Sequence, residues 1–224
     1  MKEALVIFAK APLAGQVKTR LIGMLTAEEA AALYVCFLRD TFALMEAVQE
    51  ERETLSLVLC YTPATELEAF EAAEIDGCLM LAQRGNNLGE RLQNCLVDLF
   101  ELGFAAVVII GADSPSLPAE FLSEAFERLQ IPVQVVIGPA KDGGFYLAGM
   151  NAPHTSLFDH LAWDTEDTFS QIQQRAVEMN TKLSLLPEWY DIDTIADLQQ
   201  LQAEIADGKA ELKATSRYLK KLHQ

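Results

Sequence analysis

Residues 9–20 read Ala-Lys-Ala-Pro-Leu-Ala-Gly-Gln-Val-Lys-Thr-Arg. They hold three cations, Lys10, Lys18 and Arg20, and no acid, in a chain of formal net charge -16. The small residues Ala9, Ala11, Ala14 and Gly15, with Pro12, leave a backbone that phosphate oxygens can approach closely. Lys18 and Arg20 supply the charge that a phosphorylated ligand needs. The competing reading is a surface loop of solvated cations. Gly15 to Thr19 partly matches a Walker A motif, but Val17 stands where Gly should precede the Lys. No Gly lies about four residues upstream of Gly15 either, so a P-loop nucleoside triphosphatase is set aside.

Three later stretches carry the matching acids. Gly111-Ala112-Asp113-Ser114-Pro115 follows the most hydrophobic run of the chain. A carboxylate at the tip of a buried strand costs free energy unless a cation or donors compensate it. A magnesium ion shared with a diphosphate would do so, since Mg²⁺ takes one or two protein carboxylates and leaves its other positions to phosphate and water. The plainer alternative makes Asp113 or, better, Ser116 a helix N-cap ahead of Pro118. Lys141-Asp142-Gly143-Gly144 reads equally as a hairpin turn and as a loop for close backbone approach. Asp191 and Asp193 alternate at a strand end and so point to one side. One of Asp193 and Thr194 caps the next helix, which leaves a second acid to stand opposite Asp113. His154, His160 and His223 show no ligand spacing and no Gly-x-Ser-x-Gly elbow is present, which argues against a structural zinc site and a hydrolytic triad.

These stretches need a frame that brings them together. Apolar runs at Ala4–Ala9, Leu55–Tyr61, Cys78–Ala82, Ala105–Ile110, Val133–Gly138 and Phe145–Met150 read as strands. Helical patterns fall at Thr26–Gln49, Glu66–Ala73, Leu88–Leu102, Ala119–Leu129, Asp164–Met179 and Ile195 to about Ala206. Thr26 with Glu29 forms a capping box. Val107-Val108-Ile109-Ile110 is apolar on both faces, so helices should cover both sides of the sheet. The alternation predicts an α/β fold, a three-layer α/β/α sandwich around a mostly parallel sheet. Such sheets bind ligands at the carboxyl ends of their strands, near the switch in strand order. Each motif sits close to a strand end.

At 224 residues, 50% of them hydrophobic and 22% charged, the chain supports one domain with a full core. No linker divides it, so residues 1–208 are expected to form one catalytic domain. Residues 209–224 carry Lys209, Lys213, Arg217, Lys220 and Lys221 against Glu211 alone. They read as a basic helical tail docked on the acidic body. An acidic chain is a poor partner for nucleic acid. The first apolar run is too short for a signal peptide, and no run approaches a membrane span. Cys36, Cys60, Cys78 and Cys95 form no CxxC pair and read as buried reduced thiols, which points to the cytoplasm.

Together, Phe8-Ala9-Lys10-Ala11-Pro12, Lys18-Thr19-Arg20-Leu21, Gly111-Ala112-Asp113-Ser114-Pro115, Lys141-Asp142-Gly143-Gly144-Phe145-Tyr146-Leu147 and Asp191-Ile192-Asp193-Thr194 resemble the bacterial DUF2064 proteins. These belong to the nucleotide-diphospho-sugar transferase superfamily with the GT-A fold. The resemblance implies a GT-A-like, Rossmann-like domain that transfers a sugar from a nucleotide-diphospho-sugar with Mg²⁺ or Mn²⁺. The alternatives are a guanylyltransferase-like nucleotidyltransferase and a nucleotide-binding module without turnover. It implies that Lys18, Arg20 and Asp113 act in catalysis and that Asp113, Asp193 and Asp191 hold the metal. Substrate contacts would come from Ala9, Lys10, Pro12, Gly15, Thr19, Ser114, Lys141, Asp142, Gly143 and Gly144. Asn87, which stands where the family has Asp before the Leu-Gly pair, would be a substrate contact as well. Trp163, in a segment similar to a family Trp-x-Thr, would close over the acceptor side. The partner is a nucleotide or nucleotide-sugar; base, sugar and acceptor are not encoded in these motifs.

Overall fold

Six of the apolar runs become strands, and a seventh joins at the sheet's edge. The computed structural model describes residues 1–131, 134–163 and 165–222. Val133, Asp164 and His223, on which expectations above bear, lie outside the described residues. The strands are β1 (Glu3–Lys10), β2 (Leu55–Thr62), β3 (Leu79–Ala82), β4 (Ala106–Gly111), β5 (Val135–Pro139), β6 (Phe145–Met150) and β7 (Leu183–Leu185). The helices are α1 (Ala27–Glu50), α2 (Leu88–Glu101), α3 (Ala119–Arg128), α4 (Thr168–Glu178), α5 (Ile195–Ala206) and α6 (Lys213–Leu222).

The strands form one sheet in the order β3-β2-β1-β4-β6-β5-β7. All neighbours pair in parallel except β6, which runs antiparallel to both β4 and β5. Order reverses between β1, which leads out to β2, and β4, which leads toward β6. The carboxyl ends of β1 and β4 therefore flank an opening, since the loops that leave them part in opposite directions.

The double-faced reading of β4 is correct. Val108 and Ile110 join one apolar core with α1, α3 and α5, while Val107 and Ile109 join the other with α2 and α4. Burying each such side chain contributes about 1.5–3 kcal/mol, so β4 anchors both layers. Thr26 and Glu29 form the expected box at the start of α1, with bonds of 3.1 and 2.8 Å.

Several local expectations are corrected. The helix read at 66–73 forms over Leu67–Ala73, and it is a 3-10 helix. The helix expected from residue 164 begins at Thr168. Pro118, not Ser116 or Asp113, stands at the N-cap of α3. β7 was not expected; its three residues are too short a run to register as a period-two pattern.

Candidate active site

The loop after β1 folds inward at Lys18. Its backbone is left-handed (φ 48°), an uncommon conformation for a residue with a Cβ. It turns the side chain into the protein, where only 2% of it is exposed. The ammonium pairs with Asp113 at the tip of β4, donates to Asp193 Oδ1 at 3.3 Å and donates to the carbonyl of Ile192 at 2.7 Å. An ammonium has three donors, and all three are used. Burial alone would lower the Lys18 pKa. Asp113, Asp193 and Asp191 outweigh it and raise the value above the ordinary one.

The acids arrive by separate routes. Asp113 follows β4, and its carbonyl accepts from Ile192 N–H at 2.8 Å, which ties the two loops together. Asp191 accepts a short bond from the buried Ser114 hydroxyl. Burial pushes the Asp191 pKa up to about 7, Asp113 and Asp142 add to the rise, and Ser114 and Lys18 oppose it. The N-cap of α5 is Thr194, boxed with Asp197. Asp193 is thereby released from capping, and its second oxygen lies 3.6 Å from Arg20. The Arg20 side chain is 73% exposed, so it keeps donors for a ligand.

A cleft of about 860 Å³ opens across these groups. Arg20, Asp113, Lys141, Asp142, Asp191 and Asp193 line one end. Lys141 Nζ sits 5.3 Å from the centre of the Tyr190 ring. The other end is apolar, made by Phe8, Leu88, Leu92, Phe145 and Trp163, with Glu166 at the rim. The two ends belong to opposite faces of the sheet. Phe37 of α1 lies under Lys18, whereas Phe8, Leu92, Phe145 and Trp163 belong to the core beneath α2 and α4.

The Lys141–Gly144 stretch takes the first of its two readings. It is the β5–β6 hairpin turn, closed by Ala140 N–H to the Gly144 carbonyl at 3.1 Å and by Gly144 N–H to Asp142 Oδ1 at 2.9 Å. It also lines the cleft. Gly143 has φ 88°, and a Cβ there would fall 1.9 Å from the Glu166 carbonyl, so its glycine serves packing against the 165–169 segment.

Other expected residues sit off the cleft wall. Ala9 is buried in the core and Lys10 is exposed, with its N–H donating to the Tyr34 hydroxyl at 3.2 Å. Pro12, Gly15 and Thr19 lie on the outer part of the same loop, Gly15 in a left-handed turn. Asn87 caps α2 by accepting from Glu90 N–H at 2.9 Å. Phe8, Leu88, Leu92, Phe145 and Glu166 line the cleft without having been singled out. Core-type side chains at strand and helix ends carry no chemical pattern that would mark them.

Among the described residues, no group of three His, Cys, Asp or Glu side chains is arranged to hold a metal ion. Asp113 and Asp193 nevertheless share one ammonium, so they stand close enough to share one cation. A carboxylate pair plus phosphate oxygens and water suits Mg²⁺ or Mn²⁺ chemically. The residues therefore fit an ion brought together with a diphosphate better than an ion held by protein alone.

The fold is that of nucleotide-diphospho-sugar transferases and nucleotidyltransferases. The chain belongs to the family described as "Uncharacterized protein conserved in bacteria (DUF2064)", whose model matches residues 44–165. A proposed nucleotide-diphospho-sugar transferase from Desulfovibrio desulfuricans G20 is 30% identical, with TM-score 0.86 over 99% of this chain and 95% of that one. CMP:2-keto-3-deoxy-manno-octonic acid synthetase, solved with CTP, shares the fold at 11% identity and TM-score 0.56, over 93% of this chain and all of that one. Rv0371C of Mycobacterium tuberculosis H37Rv, solved with manganese, does so at 14% identity and TM-score 0.53, over 90% of this chain and 98% of that one. No curated protein sequence matches the chain. Among the described residues, no helix is long and apolar enough to cross a membrane.

Proposed function

We propose that the protein is a transferase that moves a sugar from a nucleotide-diphospho-sugar to an acceptor, with a divalent ion bound between its carboxylates and the donor's diphosphate. The observation that carries this reading is the convergence of Asp113, Asp193, Arg20 and Lys141 at one end of an 860 Å³ cleft. The likeness to the Desulfovibrio protein supports it. Among the described residues that line the cleft, Arg20 and Lys141 are the cations, and their donors can meet phosphate oxygens. Asp113 and Asp193 would hold the ion, which would offset charge building on the leaving diphosphate. The acceptor oxygen bonds to the sugar C1, the C1–O bond to the β-phosphate breaks, and its electron pair leaves with the nucleoside diphosphate. The acceptor's proton passes to a carboxylate of the cleft.

The second reading is nucleotidyl transfer, favoured by the fold shared with a CTP-bound synthetase. There the α-phosphorus is attacked and pyrophosphate leaves. A binding module without turnover is the third reading. It would gain support from Asp113 and Asp193 standing too far apart to share an ion, and their common bond to Lys18 argues against that. Incubation with labelled nucleotide sugars and nucleoside triphosphates separates the three. Release of nucleoside diphosphate supports glycosyl transfer, release of pyrophosphate replaces it with nucleotidyl transfer, and binding without either product leaves the module.

A further inference from the structure

The cleft's apolar end has a built wall. The Trp163 ring lies 6.3 Å from Phe145 and 6.3 Å from Phe158, and Phe145 and Phe158 stack at 6.2 Å. Gly89, in the first turn of α2, lets the indole lie against the helix backbone. A Cβ there would fall 2.8 Å from Trp163 Cζ2 and 2.9 Å from the Phe158 carbonyl. The charged group beside this platform is an acid, Glu166, with Thr165 and Thr168 on the same stretch of wall. Among the described residues the cations lining the cleft are Arg20 and Lys141, and both belong to the charged end, with Asp193 and Tyr190.

We infer that this end seats the acceptor, and that the acceptor is a neutral, hydroxyl-bearing ring compound rather than a phosphorylated one. A flat apolar face packs on aromatic rings, and hydroxyls donate to carboxylates. A phosphate here would lose hydration, find no free cation and be repelled by Glu166. The inference rests on the proposed transferase reading and narrows it, because a hydroxyl is the nucleophile of glycosyl transfer.

The probes are phenyl β-glucoside, a neutral ring, and glucose 1-phosphate, a similar ring with a charge. Trp163 becomes the sole tryptophan in a Trp189→Phe background, and its emission reports occupancy. The glucoside should change that emission saturably, and glucose 1-phosphate should not. By calorimetry, Gly89→Ala or Trp163→Ala should weaken glucoside binding roughly three- to tenfold through loss of the ring contact. Glu166→Lys, at an exposed position, should raise glucose 1-phosphate affinity about tenfold, as one added charged contact does. Tighter binding of glucose 1-phosphate than of the glucoside by the parent protein overturns the inference, as does no saturable glucoside signal. Nucleotide sugars titrated into the same preparation keep the two claims apart. Nucleotide binding without glucoside binding defeats this inference alone, whereas no nucleotide binding defeats the reading beneath it.

Discussion

The Lys18 ammonium donates at 2.7 Å to the carbonyl of Ile192, a residue 174 positions further along the chain. That bond sits between two carboxylate contacts, to Asp113 and Asp193, so one side chain joins the loops after β1 and β4 to the segment before α5. Lys18 is thus an internal strut of the charged end. Lys18→Met should destabilise the protein by about 1–3 kcal/mol in urea denaturation, the cost of leaving charged partners unmade. The loss should fall short of the ~3–5 kcal/mol typical of a fully buried pair. Asp113 and Asp193 side chains are 46% and 39% exposed, and water can take over part of their solvation. A variant as stable as the parent would remove the strut role.

Arg20 and Lys141 carry the opposite expectation. Neither is locked into the protein as Lys18 is, so their donors remain for a diphosphate. Arg20→Ala and Lys141→Ala should each weaken nucleotide-sugar binding about tenfold, near the lower end of the ~1.5–3 kcal/mol of a charge-assisted hydrogen bond. Thermal stability should change little, because Arg20 is 73% exposed and meets Asp193 only at 3.6 Å. Calorimetry with nucleotide sugars in Mg²⁺ checks the first expectation and a melting curve the second. Unchanged affinity in both variants would move the phosphate site elsewhere.

Asp113→Asn keeps the side chain's shape and its position at the tip of β4. Lys18 would retain Asp193 and Ile192 as partners. We expect a folded protein whose metal-dependent turnover falls by at least about a hundredfold, the scale of losing one electrostatic element of a transfer site. Circular dichroism establishes the fold and product release the rate. Parental turnover in Mg²⁺ would exclude Asp113 from the metal site.

Strands β1 to β6, the long helices and the loop that bears Lys18 were legible because each depends on local pattern: apolar runs, a Thr26–Glu29 box, a cluster of cations. What Lys18 does was not legible. Its type suits a phosphate contact, but its partners are acids about 95 and 175 positions away, and only the closed sheet brings them near. The bond by which Asn87 caps α2 was not legible either, because its place in a motif pointed to ligand chemistry instead. The apolar end, apart from Trp163, which the family resemblance picked out, was invisible for a third reason. Phe8, Leu92 and Phe145 look like core residues in sequence, and they are; the same side chains also face the cleft.

Asp191 gives the charged end a pH dependence. Its carboxyl titrates near 7 when folded, against an ordinary 3.8, so the folded chain binds more protons between those values. A group that binds its proton more tightly when folded lowers stability as pH rises through that window. The effect is complete above the folded value and absent below the unfolded one. Asp191→Asn removes the charge and retains an oxygen for the Ser114 hydroxyl. In metal-free protein, the stability of the variant relative to the parent should therefore be more favourable at about pH 8 than at about pH 5. Denaturation midpoints at the two pH values test this. An equal difference at both would mean that Asp191 is ionised in the folded chain throughout.

The basic tail is held by one buried acid. Asp40 of α1 accepts from Ala214 N–H at 2.9 Å and from Thr215 N–H at 2.8 Å, so a carboxylate caps the first turn of α6. Free N–H groups and the helix dipole both favour an anion there. Thr215 and Leu219 are buried against the body, and the Tyr218 hydroxyl donates to the Glu29 carbonyl at 3.2 Å. The basic side chains do not supply the anchor: docking depends on the cap and on a small apolar face. Asp40→Ala should then cost about 1–2 kcal/mol, the worth of an N-cap with a buried partner left unmade. The loss should be local, since α6 forms no part of the sheet. Brief trypsin treatment checks this, because Lys209, Lys213, Arg217, Lys220 and Lys221 offer cleavage sites in a tail that is otherwise protected. We expect the variant to lose its tail at least several-fold faster than the parent while residues 1–208 stay intact. Equal cleavage rates would place the hold on the tail in its apolar contacts instead. The cleft lies at the carboxyl ends of the strands and takes no lining residue from α6, so nucleotide binding should survive the same substitution.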